Sequence, residues 1–267
     1  MTAQQDVFAA LAADGDDVDR LVADLDEESW ERPTPAPGWT IAHQVAHLAA
    51  TFHMAGTAAA EPDRFRAFLE GLSDSFTANV ARAMAPYLAL PRPALLARWR
   101  AERATTEKAL VAVPAGQLLP WLVRPLPAPV LAAAGMMELF GHGQDIADAL
   151  GVRREHTDRI RHLAEFTART WDFGYLSRQL PVPPVAPRFE LTAPSGARWR
   201  LGPDESDQVI SGPAVDLCLL ATRRRHPDDL ALHATGDEAR RWLDIAQAYR
   251  GPAGEGRRPG QFRAAVA

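Results

Sequence analysis

Four side chains have the types and spacing to hold a metal ion. His43 and His47 stand four residues apart, and further along Glu138 and His142 do the same. Residues at i and i+4 share one face of a helix, so each pair presents both side chains to one side. His47 sits among Val45, Leu48 and Phe52, and Glu138 lies in the apolar run Gly135-Met-Met-Glu-Leu-Phe140. A carboxylate buried in such a setting is costly unless it meets a proton, a partner or a cation. His47, Glu138 and His142 from facing helices would make a three-ligand centre with a fourth position open to water or substrate. Spacing alone leaves the ordinary reading open as well. Such pairs are common on solvated helices, and a histidine on an apolar face is often a satisfied core residue. Asp145, three residues past His142, suits an acceptor that orients that imidazole, or a helix-end charge network with Asp148. His43 reads as a pocket-facing or polar-face residue, and His53, expected near a helix end, carries no role. Trp39 and Trp121 suit either a pocket mouth or core packing.

Long helices must position these groups. Val7, Leu11, Val18, Leu21, Val22 and Leu25 predict a first helix over about 4–25. The segment Arg32-Pro-Thr-Pro-Ala-Pro-Gly38 breaks it. Thr40 then reads as the N-cap of the helix bearing His43 and His47. Further helices are expected over about 76–88, 94–113, 129–150 and 156–180. The 22 prolines are expected between helices rather than inside them. Pro181-Val-Pro-Pro-Val-Ala-Pro187 reads as a linker. Beyond it the period changes to strand alternation over Phe189–Ala193 and Ala197–Leu201, with a third short strand near 208–211. A helix over 213–224, a strand near 230–235 and a helix over 236–250 complete a small α+β domain. The expected domains are thus a helical bundle over 1–180, linker 181–187, an α+β domain over 188–252 and a flexible tail over 253–267.

Composition narrows the function classes. The chain has 267 residues, 47% of them hydrophobic and 24% charged, which suits about two globular domains. A net charge of -5 offers no basic field for nucleic acid, and the cluster Arg223–Arg225 with His226 is followed at once by Asp228 and Asp229. The longest apolar stretch, Leu126–Met137, contains two prolines and is too short to span a membrane. The acidic N-terminal stretch lacks the basic start of a signal peptide. These features predict a cytoplasmic protein, monomer or homodimer, without a membrane partner. The single cysteine, Cys218, lies in the apolar run Leu217-Cys-Leu-Leu220 and reads as buried. A thiol nucleophile would therefore come from another molecule.

Several motifs, in order, carry a family resemblance. Trp30, Pro33-Thr-Pro-Ala-Pro-Gly-Trp-Thr40 and Gln44-Val-Ala-His-Leu48 resemble the start of the DinB-like metalloproteins. Within these, Met137-Glu-Leu-Phe-Gly-His-Gly-Gln-Asp145 is similar to the actinobacterial branch related to mycothiol-dependent maleylpyruvate isomerase. Asp216-Leu-Cys-Leu-Leu-Ala-Thr-Arg-Arg-Arg-His226 and Trp242–Pro252 resemble that branch's second, sterol-carrier-like domain. The resemblance spans nearly the whole chain. It implies an up-down four-helix bundle with a divalent metal, most often zinc, held by His47, Glu138 and His142. It also implies a low-molecular-weight thiol, mycothiol-like, as co-substrate, and an arginine that contributes to catalysis. Arg224 matches that arginine best within the run 223–225. The segments 61–74 and 120–129 depart from the pattern, so the isomerase substrate is not carried over.

Three functions follow as expectations. The first is a metal-dependent enzyme in which the cation keeps a thiolate ionised for transfer to, or isomerisation of, a small electrophilic substrate. There Arg224 would hold a substrate carboxylate and Asp145 would support the centre. The second is a small-molecule or hydrophobic-ligand-binding protein, and the third a metal-independent biosynthetic cyclase on the same fold.

Overall fold

The computed structural model describes residues 3–262, with side chains from residue 6 onward. The chain divides into two compact units, Met1–Arg153 and Arg154–Ala267.

The first unit is built on four long helices: α1 (Ala3–Val22), α3 (Ile41–Ala60), α6 (Arg92–Ala112) and α7 (Ala128–Leu150). Helix α1 packs on α6 and α7, and α3 packs on the same two, which closes a four-helix bundle. Three shorter helices flank it: α2 (Glu27–Trp30), α4 (Pro62–Glu70) and α5 (Phe76–Leu88). Leu11, Val18, Val45, Leu48, Trp99, Leu131 and Leu139 fill the core.

Proline starts helices here. Pro62, Pro93 and Pro129 occupy the first turns of α4, α6 and α7, where no intrahelical N–H bond is lost. Gly151, at φ 69°, ends α7 in the left-handed conformation that favours glycine. One proline departs from the expected pattern. Pro86 lies inside α5, two residues before its end, so only one bond of a terminal turn is forgone. The turn-rich segment before α7 forms a minimal hairpin, β1 (Leu118–Leu119) antiparallel to β2 (Leu126–Pro127).

In the second unit the single helix expected over 156–180 is broken into a 3-10 turn (Asp158–Ile160), α8 (Arg161–Arg169) and α9 (Phe173–Leu176). The expected linker, residues 181–187, is irregular chain that leads into the sheet. Four strands follow in the order β4-β3-β5-β6: β3 (Arg188–Thr192), β4 (Arg198–Leu201), β5 (Val209–Pro213) and β6 (His233–Thr235). Strand β3 is antiparallel to β4 and parallel to β5, and β5 is antiparallel to β6. Helices α10 (Ala214–Ala221) and α11 (Asp237–Ile245) complete this α+β unit. Phe189, Leu191, Ile210, Leu217, Cys218 and Trp242 are buried in its core.

Of the tail expected to be flexible, residues 253–262 are tied to the unit. The Gly260 N–H donates to both carboxylate oxygens of Asp229 at 2.9 and 2.8 Å, and Arg225 lies 3.8 Å over the Phe262 ring. Residues 263–267 lie outside the described residues, as do Met1 and Thr2 of the N-terminal stretch. No described helix is long and apolar enough to cross a membrane.

Candidate metal centre

Helix α3 carries His47 toward α7, and α7 returns Glu138 and His142 from successive turns. His47 Nε2 lies 3.4 Å, and His142 Nε2 3.1 Å, from the same oxygen, Glu138 Oε2. One donor atom from each of the three residues falls within 4.8 Å of the others. Bonds of about 2.0 Å around a tetrahedral zinc put neighbouring donors about 3.3 Å apart, which the two measured edges match. The side chains keep 18%, 21% and 13% of their surface, so the cluster is recessed yet reachable. Burial pushes the Glu138 carboxyl up, but hydrogen bonds and charge from His142 and His47 outweigh it and hold it well below the usual carboxylate range.

A chain of hydrogen bonds sets the state of His142. The proline-rich segment folds into a tight loop, with Pro33 bridged to Thr40 and the Thr34 N–H donating to the Trp39 carbonyl at 2.8 Å. The Thr34 hydroxyl also donates to that carbonyl, at 2.9 Å. Its oxygen then accepts from Gln44 Nε2 at 2.8 Å. The Gln44 amide is thereby oriented, and its oxygen faces His142 Nδ1 at 2.5 Å. An amide oxygen only accepts, so Nδ1 carries the proton. In the neutral ring, Nε2 then turns a lone pair toward Glu138 Oε2. Two lone-pair donors 3.1 Å apart require a cation or a proton between them. This donor set, two imidazole nitrogens and a carboxylate with one ring's tautomer pinned, fits a divalent metal of the zinc type.

Trp39 covers the cluster. Its ring stacks on His142 at 5.8 Å and 18° and lies 5.3 Å from His47. Trp121 instead stacks on Phe65 of α4 at 5.5 Å. His43 caps its own helix: Nδ1 accepts from the Thr40 N–H at 3.3 Å. Asp145 is fully buried on α7. Arg224 belongs to the second unit, where Nη1 donates to the Thr222 carbonyl at 2.5 Å. Its neighbour Arg223 takes a positive φ of 59°. Two residues escaped the sequence reading. Gln44 has a legible signal, standing three residues before His47 on the same helix face. His53 lies inside α3 rather than near its end, and its Nδ1 is 3.1 Å from Glu102 Oε2.

Comparison with known proteins agrees with this architecture. Residues 11–147 match the family described as mycothiol maleylpyruvate isomerase N-terminal domain. Two uncharacterized proteins from two strains of Mycobacterium tuberculosis are 42% identical over 250 residues, 93% of this chain and 97% of theirs. The chain belongs to the mycothiol maleylpyruvate isomerase N-terminal domain family. Among solved structures, the mycothiol-dependent maleylpyruvate isomerase is similar at 16% identity with a TM-score of 0.57. That match covers 83% of this chain and 90% of the isomerase. A histidine-to-alanine mutant of that enzyme matches with a TM-score of 0.56, over 86% and 92% of the two chains. At this identity the likeness is one of fold. The family match covers the bundle alone, and the likeness of fold to the isomerase extends beyond it into the small α+β unit.

Proposed function

We propose that this protein is a metal-dependent enzyme of the cytoplasm. It would join a low-molecular-weight thiol to a small electrophile, either in net transfer or in addition and elimination that isomerises the substrate. The observation that carries this reading is the convergence of His47, Glu138 and His142 with the His142 tautomer pinned by Gln44. His47 Nε2, His142 Nε2 and a Glu138 oxygen would hold the ion, for which zinc suits the two nitrogens and one oxygen best. A bound divalent cation lowers the pKa of a thiol or water beside it, so the nucleophile stays ionised at neutral pH.

The chain's own residues supply the rest. Glu138 offsets cationic charge while leaving the open side of the cluster accessible. Trp39 shields the imidazoles from water on one face. Asp145, buried on α7 three residues past His142, is proposed to support the centre. Cys218 is fully buried, which supports a thiol delivered by a second molecule, and the family name makes mycothiol the first to test. Arg224 is proposed to bind a substrate carboxylate through its planar fork of donors.

Metal analysis of the purified protein tests the ligand assignment. Wild type is expected to carry about one equivalent of a divalent metal, and His47→Ala to lose most of it while keeping its helical circular dichroism. Equal metal content in the two would overturn the assignment. A thioether formed from mycothiol and an electrophile by wild type, and not by His47→Ala, is the expected activity.

A further inference from the structure

The first unit carries a cleft of about 850 Å³ between α3, α4, α5 and α6, and none of the three clustered ligand residues lines it. That volume lies within the roughly 300–1,000 Å³ typical of small-molecule sites. Helix α6 leaves the space unfilled because Ala94, Ala97 and Ala101, at i, i+3 and i+7, face it with methyl groups only. Phe65 and Phe68 of α4 supply apolar wall opposite.

The charged lining is of one sign. Arg64, Arg82 and Arg98 line the cleft, and no aspartate or glutamate does. Arg98 is committed to buried Glu102, with Nε at 2.7 Å from its carboxylate. His53 and the Tyr87 hydroxyl meet the same carboxylate at 3.1 and 3.3 Å. Arg64 pairs with exposed Glu61, an exchangeable surface contact. Arg82 donates to the Gly71 carbonyl at 2.9 Å and to Asn79 Oδ1 at 3.3 Å, and no carboxylate among the described residues reaches it.

We propose that this cleft binds an amphipathic monoanion of the fatty-acid type. Its carboxylate meets Arg82, and its alkyl chain lies along the alanine face of α6. An apolar wall ringed by guanidinium groups suits an anion with a hydrocarbon body better than a neutral or cationic amphiphile. The site does not depend on the metal centre, so its binding and the proposed enzymatic reading stand or fall separately.

Calorimetric titration with octanoate, decanoate and octan-1-ol tests it. One site is expected, and decanoate should bind about tenfold tighter than octanoate, as two buried methylenes predict. Octanol should bind about tenfold more weakly than octanoate. Arg82→Gln, at an exposed position, should abolish that difference. Ala97→Phe and Ala101→Phe, both at exposed positions, should block all three ligands with unchanged thermal melting. His47→Ala should bind them as wild type does. Equal affinity for octanol and octanoate, or an Arg82→Gln protein that still discriminates them, overturns the carboxylate assignment. Undiminished binding in the phenylalanine variants, or no binding of decanoate at all, overturns the site.

Discussion

Gln44 reaches His142 as an acceptor only because Thr34 has committed its hydroxyl proton to the Trp39 carbonyl. The tautomer of one imidazole thus traces back to a loop stiffened by Pro33, Pro35 and Pro37. Removing the amide is expected to weaken metal binding by about 10–100-fold, the usual cost of losing such a partner. Gln44→Glu keeps an acceptor at the same reach and should recover most of that loss. Nitrogen-15 spectra of metal-free protein supply an independent reading. Wild type should hold the His142 proton on Nδ1, and Gln44→Ala should release it into a mixture. An unchanged tautomer in Gln44→Ala would refute the hydrogen-bond chain. The pairing of Glu138 with His142 was legible because i,i+4 spacing within a helix is a property of sequence, whereas the approach of His47 to them depends on how α3 packs on α7. Gln44 and His53 were not assigned, because their roles depend on partners from other elements: Thr34 and His142 for one, Glu102 for the other.

Helices α3 and α6 approach so closely at Gly56 that only a hydrogen fits. A Cβ there would lie 2.7 Å from Thr106 Oγ1 and 3.4 Å from the Thr106 Cα. The threonine cannot swing aside freely, since its hydroxyl donates to the Phe52 carbonyl at 2.6 Å. Gly56→Ala gains about 1 kcal/mol of helix propensity, while overpacking typically costs about 1–3 kcal/mol. The strain should win, with a net loss of about 1 kcal/mol in unfolding free energy, read as a lower urea midpoint. If the clash is the cause, Gly56→Ala should cost less in a Thr106→Ala background; equal cost in both backgrounds would refute it. Helices α6 and α7 were legible, because a proline ring is disfavoured in helix interiors but welcome at their starts; α4, opened by Pro62 in the same way, was not expected from the sequence. The break in the helix expected over 156–180 was not legible either. It answers to tertiary contacts: the Trp171 carbonyl accepts from Trp242 Nε1 at 2.8 Å, and Gly174 packs directly beneath the Ile245 carbonyl.

At the scale of the whole chain, residues 154–180 count with the second unit rather than with the bundle. Leu163 and Phe166 of α8 are buried there, and α8 packs on α10. The strongest proline run therefore lies inside a compact unit. A run of prolines marks stiff chain, and only the contacts on either side decide whether stiff chain separates domains. The segment that follows Arg153 also carries a pH liability. Burial, reinforced by the charge of Arg154, lowers the His156 pKa from its ordinary 6.5 to about 4. Between those values the unfolded chain binds a proton that the folded chain refuses. Stability conferred by neutral His156 is thus complete above about pH 6.5 and is lost as the pH falls toward 4. The loss should reach on the order of 3 kcal/mol at the acid end of that window. His156→Gln cannot titrate, so its unfolding free energy should fall less steeply than that of wild type between pH 7 and pH 4.5. The difference between the two proteins isolates this histidine from the carboxylates that titrate in both. Parallel curves would remove His156 from the account of acid unfolding, whereas curves that converge below pH 5 would place the liability at this residue.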